Sequence, residues 1–179
     1  TGATGSIVIP DTFTISSTVY SVKEIGVSAF QSTALTSVTI PASVTSIGTQ
    51  AFYLAASLTT VTFAAGSLLT TIGNSAFQQT VISSIIIPAS VTFIGANAFY
   101  ACASLTSVTF IASTNWTTGV TIGTNAFSST NLLATIYIVD GQKINNVTLA
   151  SYTGTMDGFY GHVGIVTLNP EPISVPTPI

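Results

Sequence analysis

"IPASVTSIGTQAFYLAASLTTVTF", residues 40–63, returns as "IPASVTFIGANAFYACASLTSVTF", residues 87–110. The two stretches lie 47 positions apart, agree at 18 of 24 residues and hold no charged side chain. Self-similarity at a fixed period marks supersecondary units that bury their apolar faces by stacking on one another. The unit is shorter than the offset. Ile-Gly followed by Ala-Phe occurs at Ile25–Phe30, Ile47–Phe52, Ile72–Phe77, Ile94–Phe99 and Ile122–Phe127, in steps of 22, 25, 22 and 28 residues. A step of 22 and one of 25 together make the 47-residue offset. One coil of about two dozen residues falls within the range of leucine-rich repeats.

Each coil carries a second apolar signature of the form L-x-x-V-x-I. It reads "ALTSVTI" (34–40), "SLTTVTF" (57–63), "VISSIII" (81–87), "SLTSVTF" (104–110) and "LLATIYI" (132–138). β-Branched residues alternating with hydroxyls predict a short strand. Its inward positions are Leu35, Val38, Ile40; Leu58, Val61, Phe63; Ile82, Ile85, Ile87; Leu105, Val108, Phe110; and Leu133, Ile136, Ile138. The Ala-Phe segment is long enough for one helical turn, and its phenylalanine is expected to plug the coil. The plugs form a file of Phe30, Phe52, Phe77, Phe99 and Phe127. The glycine of each Ile-Gly is expected where a side chain would strike a neighbour or where φ must be positive.

The outward strand positions form two columns. One is Ser37, Thr60, Ser84, Ser107, Thr135, and the other is Thr39, Thr62, Ile86, Thr109, Tyr137. Coils about 4.8 Å apart turn these into flat rows of hydroxyls and methyls, the candidate binding face, with Ile86 and Tyr137 as apolar anchors.

Composition narrows the function. Charged residues are 4% of the chain, against about 25% in an average domain, with two lysines, no arginine and net charge −3. Such a chain has no electrostatic grip on phosphate, so neither nucleic acid nor an anionic membrane is an expected partner. No apolar run reaches the roughly 18–20 residues of a helical span, so none is expected. A surface wetted by Ser and Thr lacks the like-charge repulsion that keeps copies apart, which points to a surface covered by sugar, a partner or further copies.

Chemistry finds little footing. His162 is the sole histidine, with Asp157 nearby, and the body from Ile25 to Ile138 holds no acid. A metal site needs three or four matched ligands and glycoside cleavage needs a carboxylate pair, so no metal, cofactor or enzyme activity is expected. Cys102 stands where the sister copy has Ala55, as a small buried apolar residue does. Asn115 and Asn146 begin N-x-Thr sequons and are candidates for glycosylation.

The motif "IPxSVTxIGxxAFxxCxSLTSVTF" resembles the BspA-like, treponemal class of leucine-rich repeat over residues 25 to about 138. The resemblance implies a repeat solenoid with short parallel strands and about five right-handed coils. It also implies a non-catalytic extracellular or cell-surface protein that works by contact with protein partners or with copies of itself. Such a protein is an adhesin-like module or a structural subunit of a surface or filamentous assembly. The alternative is a monomeric module for a glycan or a host protein, with ice a lesser option. "FAAGSLLTTIG" and "FIASTNWTTGVTIG" lack the Ile-Pro and insert two and five residues, so those coils should bulge on one edge.

A solenoid must close its ends. Residues 1–24 are expected to form a β cap, with Ser6–Pro10 and Phe13–Val22 as a hairpin turning near Asp11. Residues 25–138 are the solenoid and 139–168 an irregular cap. Residues 169–179, with four prolines, are an extended tail that cannot continue a central strand. Thr1 in place of Met is expected of a processed or trimmed form, from which any secretory signal would already be gone.

Overall fold

The computed structural model describes residues 2–111 and 119–130, and the backbone of four further strands at 135–138, 143–144, 147–148 and 165–168. The stacked coils form a prism with three walls. The first wall is the L-x-x-V-x-I segments: β1 (Thr4–Val8), β5 (Ala34–Ile40), β7 (Thr60–Phe63), β9 (Ser84–Ile87), β11 (Ser107–Phe110), β13 (Thr135–Ile138) and β16 (Ile165–Leu168). Except for β7 and β9, neighbours in it pair parallel and in repeat register, so Val38 lies between Ile7 and Val61, and Val108 between Ile85 and Ile136.

The second wall is a sheet of two-residue strands just before each glycine: β4 (Glu24–Ile25), β6 (Ser46–Ile47), β8 (Thr71–Ile72), β10 (Phe93–Ile94) and β12 (Thr121–Ile122). Its isoleucines point inward and are buried. The glycine that follows has an ordinary φ, and its role is close approach. A Cβ on Gly48, Gly73, Gly95 or Gly123 would stand 2.5–2.8 Å from backbone or side-chain atoms of the preceding coil. Gly26 has no such neighbour. Of the two sequence readings of this glycine, the steric one holds.

The third wall carries Ala-Phe. In place of the expected helical turn there is a chain of tight turns, with residues in the left-handed region two before and two after each phenylalanine. Gln50 and Leu54, Ser75 and Gln79, and Asn97 and Ala101 all have φ between 52° and 59°. Alternating the hand of the backbone turns every second N–H along the stacking axis. Gln50, Phe52 and Leu54 donate to the carbonyls of Asn74, Ala76 and Gln78 at 2.9, 2.7 and 3.0 Å, and the pattern recurs in the next two coils. A helix would direct those donors into itself.

The phenylalanines form the expected file. Rings of Phe30, Phe52, Phe77, Phe99 and Phe127 stack with centroids 5.1, 5.0, 5.3 and 5.0 Å apart and within 10° of parallel. Phe52 to Phe127 are fully buried, while Phe30, with a ring on one side only, is half-buried. The inward strand positions through Phe110 are buried, except that Phe63 is partly open. Leu133, Ile136 and Ile138 lie outside the residues whose side chains are described.

Three threonines, Thr33 part-buried and the other two buried, finish the turns. Thr33, Thr80 and Thr130 donate to the carbonyls of Phe30, Phe77 and Phe127 at 2.8, 2.9 and 2.6 Å. Cys102 fills the same place in its coil and donates its Sγ–H to the Phe77 carbonyl at 3.1 Å. Burial pushes this thiol up to about 11. It is buried as expected, but it is hydrogen-bonded rather than simply apolar.

The N-terminal hairpin is composed differently from the expectation. Its strands are β2 (Thr12–Ile15) and β3 (Thr18–Ser21), antiparallel and exposed at every residue, with Phe13 stacked on Tyr20 at 5.5 Å. Ser6–Val8 belongs instead to β1, whose "SIV" pairs with "SVT" of β5 and forms the wall of a further coil. The repeat therefore begins earlier than its first Ile-Gly. A second antiparallel pair joins β14 (Lys143–Ile144) and β15 (Val147–Thr148).

Candidate functional site

The outer face of the first wall collects the candidate residues. Ser37 pairs with Thr60 and Thr39 with Thr62 on one sheet. Ser84, Ser107 and Thr135 share a row on the other, as do Ile86, Thr109 and Tyr137. Thr135 and Tyr137 are placed by backbone register alone. Ser6 and Val8 extend the two rows by one coil, with Ser6 hydrogen-bonded to Ser37 and Val8 73% exposed. Sequence reasoning missed these two because the stretch was assigned to a hairpin. The signal was the match of "SIVIP" to "SVTIP".

The face is not continuous. The first wall divides into a sheet of β1, β5 and β7 and a sheet of β9, β11, β13 and β16, with no ladder between β7 and β9. At the lower edge the Ser83 N–H still reaches the Thr59 carbonyl at 3.3 Å. At the upper edge two features meet. After β7 and after β11 the next residue donates to the preceding coil, Ala64 to Ile40 at 2.9 Å and Ile111 to Ile87 at 3.0 Å. Pro88 holds that place beside Phe63 and has no N–H to give. Pro41 is equivalent, yet β5 pairs with β1, so proline alone does not open the wall. The difference is the expected two-residue insertion: Ala64–Ser67 makes a turn closed by Ser67 N–H to Ala64 O, with Gly66 at φ 72°.

Between the two strand ends lies a groove of about 520 Å³. Val61, Phe63, Ile86, Pro88 and Ile111 give it apolar walls, and Thr62 and Ser67 supply hydroxyls. Ile86, one of the proposed anchors, is 49% exposed at its side. No charged residue occurs anywhere from position 25 to 138, so the face and the groove present only hydroxyls, apolar side chains and backbone.

Asn115, Asn146, Asp157 and His162 lie outside the described residues. Among the described residues no three His, Cys, Asp or Glu side chains gather, and no helix is long and apolar enough to cross a membrane.

The BspA type Leucine rich repeat region matches residues 23–154 in six copies. The chain belongs to this family. No curated protein matches it. Among solved structures it is similar to the pneumococcal vaccine antigen PcpA, with TM-score 0.65 and 24% identity over 83% of this chain and 38% of that one. It is also similar to the T. pallidum leucine-rich repeat protein TpLRR, with TM-score 0.62 and 29% identity over 74% of this chain and 58% of that one. The chain thus spans less than two thirds of the length of either. Short parallel strands stacked into a solenoid are common to all three.

Proposed function

We propose that this chain is a non-catalytic extracellular or cell-surface module that acts by protein–protein contact, as an adhesin-like unit or a structural subunit of a surface or filamentous assembly. The observation that carries the reading is the outer face of the first wall. Ser37, Thr39, Thr60, Thr62, Ser84, Ile86, Ser107 and Thr109 stand on it in strand register, and Thr135 and Tyr137 continue the rows. Proteins of the BspA type are typically surface proteins engaged in protein interactions, which supports the same reading.

A face without charges has no long-range repulsion to overcome when it meets a copy of itself. Covering about 800 Å² per partner is enough for a specific interface. Glycans on Asn115 and Asn146 would cover further surface. The second reading is a monomeric module that binds a glycan or a host protein, and the half-exposed Ile86 beside the groove favours it.

Light scattering over a concentration series separates the two. Assembly gives a mass that rises with concentration and falls back in the Thr62→Lys, Thr109→Lys double variant, which places charge on the rows. A strict monomer at high concentration removes the assembly reading. Electron micrographs of native material then show filaments or their absence.

A further inference from the structure

We propose that the groove between β7 and β9 is the docking site of the chain's own proline-rich segment, residues 169–179. The groove calls for an apolar, uncharged, extended occupant. Phe63 is partly open there, whereas its counterparts Ile40, Ile87 and Phe110 in the other coils are closed over. Proline and aliphatic side chains suit such a slot, and a charged ligand does not.

The segment "NPEPISVPTPI" has that chemistry. It contains Pro170, Pro172, Pro176 and Pro178, with Ile173, Val175 and Ile179 between and after them, and a single charge at Glu171. Proline fixes φ, so a segment of this composition has little freedom to lose on docking. Resting on an apolar, aromatic-bearing groove is a known way for proline-rich chain to bind.

Chain geometry brings the two together. β16 runs parallel to β13, and the strand order is β16, β13, β11, β9. The chain therefore leaves Leu168 at the same edge of the sheet where Phe63 and Ile87 end, which is the edge that carries the groove. Three strand spacings of about 4.8 Å put β9 roughly 14 Å away. Eleven residues of polyproline-type chain reach about 34 Å. The first half of the segment covers the distance, and the second half, from about Val175, lies in the groove. Reach favours docking within one molecule. The inference is independent of whether the outer face mediates assembly.

The test uses the full chain with Val175→Cys carrying a spin label. The unaltered chain treated with the same reagent is the control, since its Cys102 is buried. In a 15N-labelled sample, the amides of Phe63, Ala65, Gly66, Ser67, Ala89 and Ile111 are expected to lose most of their intensity. Those of Phe13 and Tyr20 in the hairpin are expected to keep theirs. Ile86→Asp, at a half-exposed position, should restore the lost signals while the denaturation midpoint stays in place. Mixing spin-labelled unenriched chain with 15N-labelled wild type should produce no loss. Unchanged groove amides in the labelled chain overturn the proposal. So does a matching loss of the same amides in the mixed sample, which would mean docking between copies.

Discussion

The Cα of Gly73 faces the peptide that joins Gly48 to Thr49, so closely that a Cβ would sit 2.8 Å from both the Gly48 carbonyl carbon and the Thr49 nitrogen. Backbone in both coils would have to yield, and each is held by the same stack. Gly73→Ala should therefore destabilise the fold by about 1–3 kcal/mol, the range for overpacking. Gly26→Ala meets nothing within 4 Å and should fall within about 0.5 kcal/mol of wild type. Denaturant midpoints of the two variants check the contrast. Equal losses would mean that the glycine serves something other than coil spacing.

Phe77 lies between two stacked rings at the centre of the file. Phe77→Ala removes a fully buried side chain and should cost about 3–5 kcal/mol. Thr62→Ala removes an exposed hydroxyl and should cost under about 0.5 kcal/mol. Urea titration of both reads the inside and outside of the same coils. Similar values for the two would contradict the assignment.

Leu54 holds a left-handed conformation, φ 57°, with a partly exposed side chain. Glycine relieves the steric cost of that conformation, which is roughly 1–2 kcal/mol, but adds freedom to the unfolded chain. Leu54→Gly should raise stability slightly, by about 0.5 kcal/mol, and Leu54→Val should lower it by about 1 kcal/mol. Thermal melts of the pair test the sign. A gain with valine would speak against the turn geometry.

The Cys102 thiol, normally near 9.0, is pushed up to about 11 by burial, against the opposing effect of its Thr80 hydrogen bond. A raised folded value means that the unfolded chain gives up this proton first. The contribution is fully present below pH 9 and is lost as pH rises towards 11, by up to about 2–3 kcal/mol. Stability of wild type and Cys102→Ala measured from pH 8 to 11 should show the steeper decline in wild type. Parallel curves would remove the thiol as the cause.

The period, the strands and the phenylalanine file were legible because each repeats: five copies of Ala-Phe and of L-x-x-V-x-I average out local ambiguity. β1 was not, because its copy is degenerate. Gly5, at φ 71°, introduces a register shift before Ser6 and breaks the pattern just where it would be recognised. The turn conformations were hidden as well. Ser, Gln, Leu, Ala and Asn all occupy the left-handed positions, so no residue type announces them. The rows of the outer face were readable as alternation, but the groove was not. It depends on Pro88 standing beside an inserted turn of a different coil, a juxtaposition that exists only after stacking.

The wall of Ala-Phe turns sends every second N–H one way along the stack and the carbonyls that accept from the neighbouring coil the other. Summed over successive coils, these peptide dipoles give the particle a positive and a negative pole with no ionised group involved. In a molecule so poor in formal charge, that polarity would set which end of one copy approaches another in the assembly proposed above, with every member of a file pointing the same direction.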